Sequence, residues 1–194
     1  MAGERPRQGR PAHPQLTLTL APNPGYEPEN FFISQSNEQA FAMIELWPNW
    51  PDPLLILIGP AGAGKSHLGT IWASRASARI ETASALSAVA IEALAAGGPL
   101  LIEDADTIGG GEAQLFHLVN IMREHGTALV LTAKTQPDCW NLRTADLLSR
   151  LRLAPSVAIG LPDDELIRAV LLKLLIERQL VVDTSIISYI ALRL

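Results

Sequence analysis

Blocks of apolar residues and of helical apolar periodicity alternate along most of the chain. Short apolar runs of the kind that form strands buried on both faces cover residues 54–58, 78–81, 99–103, 127–132 and 157–159. Segments with a helical spacing of apolar residues cover 37–47, 64–75, 83–96 and 114–125. Because strands and helices alternate, we predict an α/β fold with a parallel five-stranded sheet covered on both faces.

The pattern changes at both ends and predicts three regions. Residues 1–25 are predicted to form a flexible tail, because residues 1–14 contain three prolines and three arginines and proline recurs at 22 and 24. Residues 26–161 form the α/β domain. Residues 162–194 are predicted to form one long helix to about 178 and a second helix from about 183. We interpret them as the start of a helical lid that is incomplete at residue 194.

Composition narrows the class of protein. Hydrophobic residues make up 48% and charged residues 18% of the 194 residues, so a core can be buried. The formal net charge of -5 argues against strong direct DNA binding through bulk charge. A single cysteine, no long apolar run and no signal peptide predict a soluble cytoplasmic protein without membrane contact. The four histidines lack metal-ligand spacing, so we expect no metal beyond Mg²⁺.

A phosphate-binding loop follows the first apolar strand and opens a helix. The pattern G-x-x-x-x-G-K-[ST] is matched by Gly59, Pro60, Ala61, Gly62, Ala63, Gly64, Lys65 and Ser66. Glycines let main-chain N–H groups wrap an anion at a helix N-terminus, Lys65 reaches the outer phosphates and Ser66 can bind Mg²⁺. With the following His67, this loop predicts a site for ADP or ATP with Mg²⁺.

Two acids end a second apolar strand, at Glu103 and Asp104. Such carboxylates are suited to hold Mg²⁺ and to orient an attacking water beside the loop. We assign Glu103 to the metal, together with Ser66, and Asp104 to the water. Because Glu103 is one methylene longer than the usual Asp at this place, Asp106 is an alternative metal ligand. These acids could also simply end a strand.

Arginines occur in an apolar setting in the segment 147–152. Arginine keeps its charge when half buried and binds phosphate through two nitrogens, so Arg150 is the candidate for contacting the nucleotide of a neighbouring protein. Arg152 fits a surface arginine better. The alternative for Arg150 is likewise a surface role, with its stem packed on the helix.

These motifs occur in the order and spacing of the DnaA/Hda family of AAA+ proteins, which the chain resembles from about residue 26 to 194. The residues that carry the resemblance are the loop, the strand ending in Glu103-Asp104, Leu131-Thr132 before Pro137, and Leu148-Ser149-Arg150-Leu151. The resemblance implies that Thr132, at a strand tip, lies between the γ-phosphate and the acids; the alternative is an ordinary threonine that ends a strand. It also implies that the stretch from Phe31 to Asn37 lies near the adenine.

The N-terminus decides between members of that family. Gln15, Leu16, Leu18 and Leu20 resemble the clamp-binding peptide of Hda-type regulators, with Thr19 where proline is usual. The resemblance implies that the sliding clamp and the initiator DnaA are partners and that Arg150 stimulates hydrolysis of DnaA-bound ATP. It leaves undecided whether the protein also forms a homo-oligomer. Alternatives are a strand at 15–20, an ATPase acting as helicase loader or transposition helper, and a DnaA initiator fragment.

Overall fold

The computed structural model of the protein describes residues 30–180, 182, 183, 187 and 190. The predicted tail, including the peptide Gln15 to Leu20, lies outside the described residues. So does most of the second helix that was predicted from about residue 183.

A parallel sheet of five strands forms the centre of the fold, as the apolar runs predict, in the order β2-β3-β4-β1-β5. The strands are β1 (Leu54–Ile58), β2 (Arg79–Thr82), β3 (Leu100–Glu103), β4 (Leu129–Ala133) and β5 (Ser156–Ala158). Every residue of β1 and β4 is buried, whereas the edge strands β2 and β5 are mostly exposed. Because the strands are parallel, the phosphate loop after β1 and the acids at the end of β3 lie at the same edge of the sheet.

Helices cover both faces of the sheet. They are α1 (Glu38–Glu45), α2 (Lys65–Ala76), α3 (Ile91–Ala95), α4 (Glu112–Glu124), α5 (Ala145–Leu153) and α6 (Asp164–Glu177). Alternate residues of β1 enter two cores, because successive side chains of a strand point to opposite faces. Leu54 and Ile56 pack in the core containing α4 and α5, while Leu55 and Leu57 pack in the core containing α1 and α2.

The prediction of one continuous helix over 83–96 is wrong. A 3-10 helix covers Ala83–Ala88, Val89 and Ala90 are extended, and α3 begins at Ile91. Leu86 and Ile91 are both buried, although five residues of α-helix would place them about 140° apart. The break turns both side chains into the core, so burial overrides the helix propensity of the alanines. Other predicted bounds differ by one or two residues, as is usual where helix ends fray.

Helix α6 follows the sheet and starts the region predicted as a lid. Asp163 caps it by accepting a hydrogen bond from the Leu166 N–H at 2.9 Å. None of its residues is fully buried, and Leu172 and Ile176 are 48% and 66% exposed. Across the residues that the structure describes, no helix combines the length and apolar character needed to cross a membrane.

Candidate functional site

The loop between β1 and α2 has a backbone that requires glycine. Gly62 and Gly64 have φ of 79° and 97°, in the left-handed region that other residues rarely adopt. The Gly59 N–H donates to the Ala133 carbonyl at 3.1 Å. A Cβ on Gly59 would lie 2.5 Å from the Ile159 carbonyl oxygen. The first residue of the loop, Gly59, is thus packed between the end of β4 and Ile159, and the loop then leads into α2.

Lys65 is the first residue of α2, and its side chain turns back under the loop. It is 7% exposed, and its Nζ donates to the carbonyl oxygens of Gly59 and Pro60 at 2.7 and 2.8 Å. Burial lowers the pKa of Lys65, while the carboxylates of Asp104 and Asp106 act in the opposite direction. These two bonds use two of the three ammonium donors. The charge of Lys65 is therefore fixed beneath the glycines, next to the acids that end β3.

The end of β3 contains carboxylate oxygens that lack protein partners. Glu103 Oε1 and Asp106 Oδ1 are buried and accept no hydrogen bond within the described part of the chain. Unpaired buried anions are unfavourable unless a cation or a donor meets them. Both acids, with Asp104, act electrostatically on Lys65. Carboxylates and the Ser66 hydroxyl are the oxygen ligands that Mg²⁺ prefers, so these residues fit the predicted metal.

Asp104 is held by its backbone in an uncommon conformation. Its φ of 52° is left-handed, which Asp tolerates better than most residues. Its N–H donates to Thr132 Oγ1 at 3.1 Å, and its carbonyl accepts from the N–H and the hydroxyl of Thr107, both at 2.8 Å. The Asp104 side chain is exposed at this edge of the sheet. Three hydrogen bonds thus fix the direction in which the carboxylate leaves β3.

Thr132 is not the last residue of its strand, in contrast to the sequence reading. Strand β4 runs to Ala133, and Thr132 is 1% exposed. Its hydroxyl oxygen accepts a hydrogen bond from the Asp104 N–H. A role of Thr132 toward a phosphate stays a prediction. The exposed residue that follows β4 is Lys134, and its charge reaches Lys65.

A cavity of about 330 Å³ adjoins the loop at Gly62 to Gly64. Phe31 lines it, stacks on Phe41 with ring centroids 5.7 Å apart, and meets the His67 ring edge-on at 5.2 Å. Besides Ala63 of the loop, the remaining lining residues come from the segment before α1 and from α6 with the residues just before it, namely Asn30, Phe32, Asn37, Pro162, Leu166, Ile167, Val170 and Leu171. The cavity has the size and apolar lining of a small-molecule site.

Arg150 and Arg152 lie on α5 in different settings. The Arg152 guanidinium pairs with Asp138, and its hydrogen bond is the main reason that the pKa of Asp138 is lowered. Arg150 is half-buried, with its guanidinium carbon 5.6 Å from the centre of the Phe116 ring. The ion pairs found among residues 30–180 do not include Arg150. Its charge is therefore supported by a ring rather than cancelled by an acid.

A second and larger cavity, of about 690 Å³, lies beside Asp106. Its lining runs from Asp106 and Gly109 to Trp140 and Arg143. It connects the acidic end of β3 with the start of α5. Sequence reasoning did not find this cavity, the α6 side of the first cavity, or the approach of Lys134 to Lys65, because each depends on contacts between distant segments.

The strand order, the phosphate loop between β1 and α2, and the acids at the end of β3 define a P-loop nucleoside triphosphatase fold of the AAA+ class. Within that class, the fold is similar to that of solved replication initiators of the DnaA type. A solved DNA replication initiation factor superposes with a TM-score of 0.78 at 21% identity, over 89% of this chain and 60% of that protein.

Two further solved structures agree with that superposition. Domain III of DnaA from Thermotoga maritima gives a TM-score of 0.72 at 22% identity, over 87% of this chain and 81% of that one. AMPPCP-bound DnaA from Aquifex aeolicus gives 0.73 at 22% identity, over 89% of this chain and 61% of that one. The chain thus spans about 60% of the length of the first protein. No protein-family model matches the sequence.

Proposed function

We propose that this protein is a DnaA-related AAA+ regulator of the Hda type, acting in the bacterial cytoplasm. It binds ADP or ATP with Mg²⁺, docks on the DNA polymerase sliding clamp, and stimulates hydrolysis of ATP bound by DnaA. Initiation of DNA replication is thereby limited. The observation that carries the proposal is Arg150, whose half-buried guanidinium is held over Phe116 and outside the ion pairs of residues 30–180.

An arginine in this state is suited to act on a nucleotide held by another protein. The guanidinium keeps its charge, and its planar fork matches phosphate oxygens. Contact with the phosphates during hydrolysis stabilises the charge that develops there, which is worth about 10³-fold or more in rate. Because Arg150 is only half-buried, part of its side chain is accessible to a partner. The likeness of the fold to DnaA supports a partner of the same class.

The chain's own nucleotide would occupy the loop and the adjoining 330 Å³ cavity. Main-chain N–H groups from Gly62 to Ser66 and the ammonium of Lys65 would bind the phosphates. Phe31 and the α6 residues would enclose the base. Ser66 and Glu103 would hold Mg²⁺, which neutralises phosphate charge when bound. In this reading the nucleotide stabilises the form of the protein that presents Arg150.

The clamp-binding part of the proposal depends on residues 15–20, outside the described residues. An extended peptide of the pattern Gln-Leu-x-Leu-x-Leu can place alternate apolar side chains in a groove and hydrogen-bond through its glutamine amide. A pull-down with the sliding clamp tests it directly. Gln15→Ala with Leu18→Ala should abolish capture, and Thr17→Ala, at a position between the anchors, should not. Equal capture of all variants would remove the clamp from the proposal.

The decisive experiment measures ATP turnover by ATP-loaded DnaA in the presence of clamp and this protein. Arg150→Ala should lower the maximal stimulation by about 10³-fold while leaving ADP affinity unchanged. Arg152→Ala is the matched control, because it removes an arginine from the same helix that is already paired with Asp138. Full stimulation by Arg150→Ala would contradict the proposal.

A second candidate is an AAA+ ATPase in its own right, such as a helicase loader or transposition helper. The buried, unpartnered oxygens of Glu103 and Asp106 beside Lys65 favour it, because they complete the polar set that hydrolysis requires. A third, an initiator fragment that binds origin DNA, is favoured by the likeness to DnaA but opposed by the net charge of -5. Turnover without DnaA would support the second candidate, and tight origin binding in a gel shift the third.

A further inference from the structure

Helix α4 contacts α5 at three points along one of its faces. The carboxylate of Glu112 accepts from the Arg143 N–H at 3.1 Å and also from the Thr144 N–H, at the start of α5. Phe116 lies under the Arg150 guanidinium, as described above. Arg123 donates from a terminal nitrogen to the Arg150 carbonyl oxygen at 3.3 Å. Because residues 112, 116 and 123 recur at nearly helical spacing, one stripe of α4 spans the length of α5.

Arg123 is itself fixed at its other side. Its guanidinium binds Asp52 through two nitrogens, at 3.0 Å from Oδ2 and 3.4 Å from Oδ1. Asp52 Oδ1 also accepts from the Leu54 N–H at 2.8 Å, at the first residue of β1. The Arg123 and Asp52 side chains are only 20% and 27% exposed. A pair that is bidentate and mostly shielded from water holds its geometry better than an exposed one.

The Arg150 carbonyl needs such a donor. In a continuing α-helix it would accept from the N–H of Ala154, four residues on. That N–H donates instead to the Leu151 carbonyl at 3.2 Å, because the chain turns extended at Ala154. Arg150 therefore has one of the carbonyls that a helix end leaves without an intrahelical donor. Arg123 supplies the missing bond, and a cation there also suits the negative end of the helix.

We propose that Arg123 is a positioning residue for Arg150. It connects the Arg150 backbone to Asp52 and through it to β1, the strand that leads into the chain's own phosphate loop. Phe116 fixes the side chain and Arg123 fixes the backbone of the same residue. The inference rests on the proposed function of Arg150 and adds to it that the presented arginine is held rigidly rather than on a frayed helix end.

Loss of this contact should reduce the rate rather than the docking. A displacement of about 1 Å in a group that acts on the transition state can cost up to about a hundredfold. Arg123→Met keeps much of the side-chain volume but removes the donors. We expect it to lower the maximal stimulation of ATP hydrolysis by DnaA about tenfold, with the half-saturating concentration of this protein unchanged. If Arg123 had a purely structural role, Arg123→Met would lower the melting temperature without selectively lowering the maximal stimulation.

Two further variants keep the test valid if Arg123→Met folds poorly. Arg123→Lys retains the charge opposite Asp52 but not the fork that reaches both partners, so it should recover part of the stimulation. Asp52→Asn keeps the acceptor for the Leu54 N–H and removes the charge that orients Arg123, so it should lose a smaller part. Arg152→Gln serves as the control on α5. Each is assayed at a temperature where circular dichroism indicates a folded protein.

The outcomes separate this inference from the proposed function. Folded Arg123→Met with wild-type maximal stimulation, while Arg150→Ala has lost it, would overturn the role of Arg123 alone. A loss by Arg123→Met that appears only as a higher half-saturating concentration would overturn it as well. Wild-type stimulation by Arg150→Ala would overturn the proposed function instead.

Discussion

The hydroxyl oxygen of Thr132 accepts a hydrogen bond from the main-chain N–H of Asp104 at 3.1 Å. The two residues lie on neighbouring strands, 28 positions apart in the chain. Strand pairing between β3 and β4 stops at Ile102, opposite Leu131. Beyond that pair, a side chain replaces the main-chain partner at Asp104, the left-handed residue directly after β3. The backbone of Asp104, the acid that follows β3, is thus held in place by a hydroxyl from β4.

Replacing Thr132 by Val tests that dependence. Valine has nearly the same shape but no acceptor, so the Asp104 N–H would lose its partner beside a buried residue. We expect the free energy of unfolding to fall by roughly 1 to 3 kcal/mol, measured by urea denaturation. Thr132→Ser restores the acceptor and should lie closer to the wild type. Equal stability of the Val and Ser variants would contradict the importance of this bond.

Gly59 should not tolerate a side chain, because the added atoms would collide with a neighbouring main chain. An added Cβ would lie 2.5 Å from the Ile159 carbonyl oxygen, which is main chain and cannot rotate away. Gly59→Ala should lower the free energy of unfolding by roughly 1 to 3 kcal/mol. Gly110→Ala is the matched control, because a Cβ there meets nothing within 4 Å. Thermal denaturation of both variants makes the comparison, and an equal effect would refute the steric argument.

Phe31 should contribute to binding of the base and not of the phosphates. Its ring lines the 330 Å³ cavity and packs on Phe41. Phe31→Ala should weaken ADP binding about tenfold, as expected for the loss of one aromatic contact. Affinity for inorganic tripolyphosphate should stay the same, whereas Lys65→Ala should weaken both ligands. Calorimetric titration separates these cases; equal weakening of both ligands by Phe31→Ala would place Phe31 near the phosphates instead.

The cap of α6 should make stability depend on pH. The N–H of Leu166, followed by the hydroxyl of Ser34, donates to Asp163 and lowers the pKa of that carboxyl below its ordinary value of 3.8. A carboxyl with a lowered folded pKa stabilises the fold above its ordinary pKa and loses that contribution as the pH falls through the folded value. The stability gained from the charged cap is thus present at neutral pH and lost in acid, below 3.8.

Asp163→Ser isolates this contribution, because serine also caps a helix but does not titrate in this range. The melting temperature of the wild type should exceed that of the variant at neutral pH. The difference should shrink as the pH is taken below the ordinary value of 3.8. A difference that stays constant through the acid range would show that the charge of Asp163 does not contribute.

The sequence predicts the parts of this fold that depend on local pattern. Strands β1 and β4 are uniformly buried because they lie inside the sheet, and their apolar runs reveal it. The phosphate loop is readable because its chemistry requires glycine, lysine and serine at fixed spacing. The roles assigned to Glu103, Asp104 and Arg150 stay predictions, although the structure places both acids within electrostatic reach of Lys65.

What sequence reasoning missed depends on partners that are far apart in the chain. Asp52 and Arg123 are 71 positions apart, and neither residue alone indicates an ion pair. The break in the predicted helix at Val89 arises because Leu86 and Ile91 must face the same core. Thr132 gave the signal of a strand tip, yet β4 continues for one more residue through its pairing with Ile58. Each of these depends on tertiary packing.

The cavity beside the loop is bounded on one side by Phe31 and the loop glycines and on the other by α6. A ligand in this cavity would contact the loop and Phe31 on one side and α6 on the other. Loss of such a ligand would remove contacts from Leu166 and Val170 of α6, a helix in which no residue is fully buried. The stability of α6 would then depend on whether the cavity is filled.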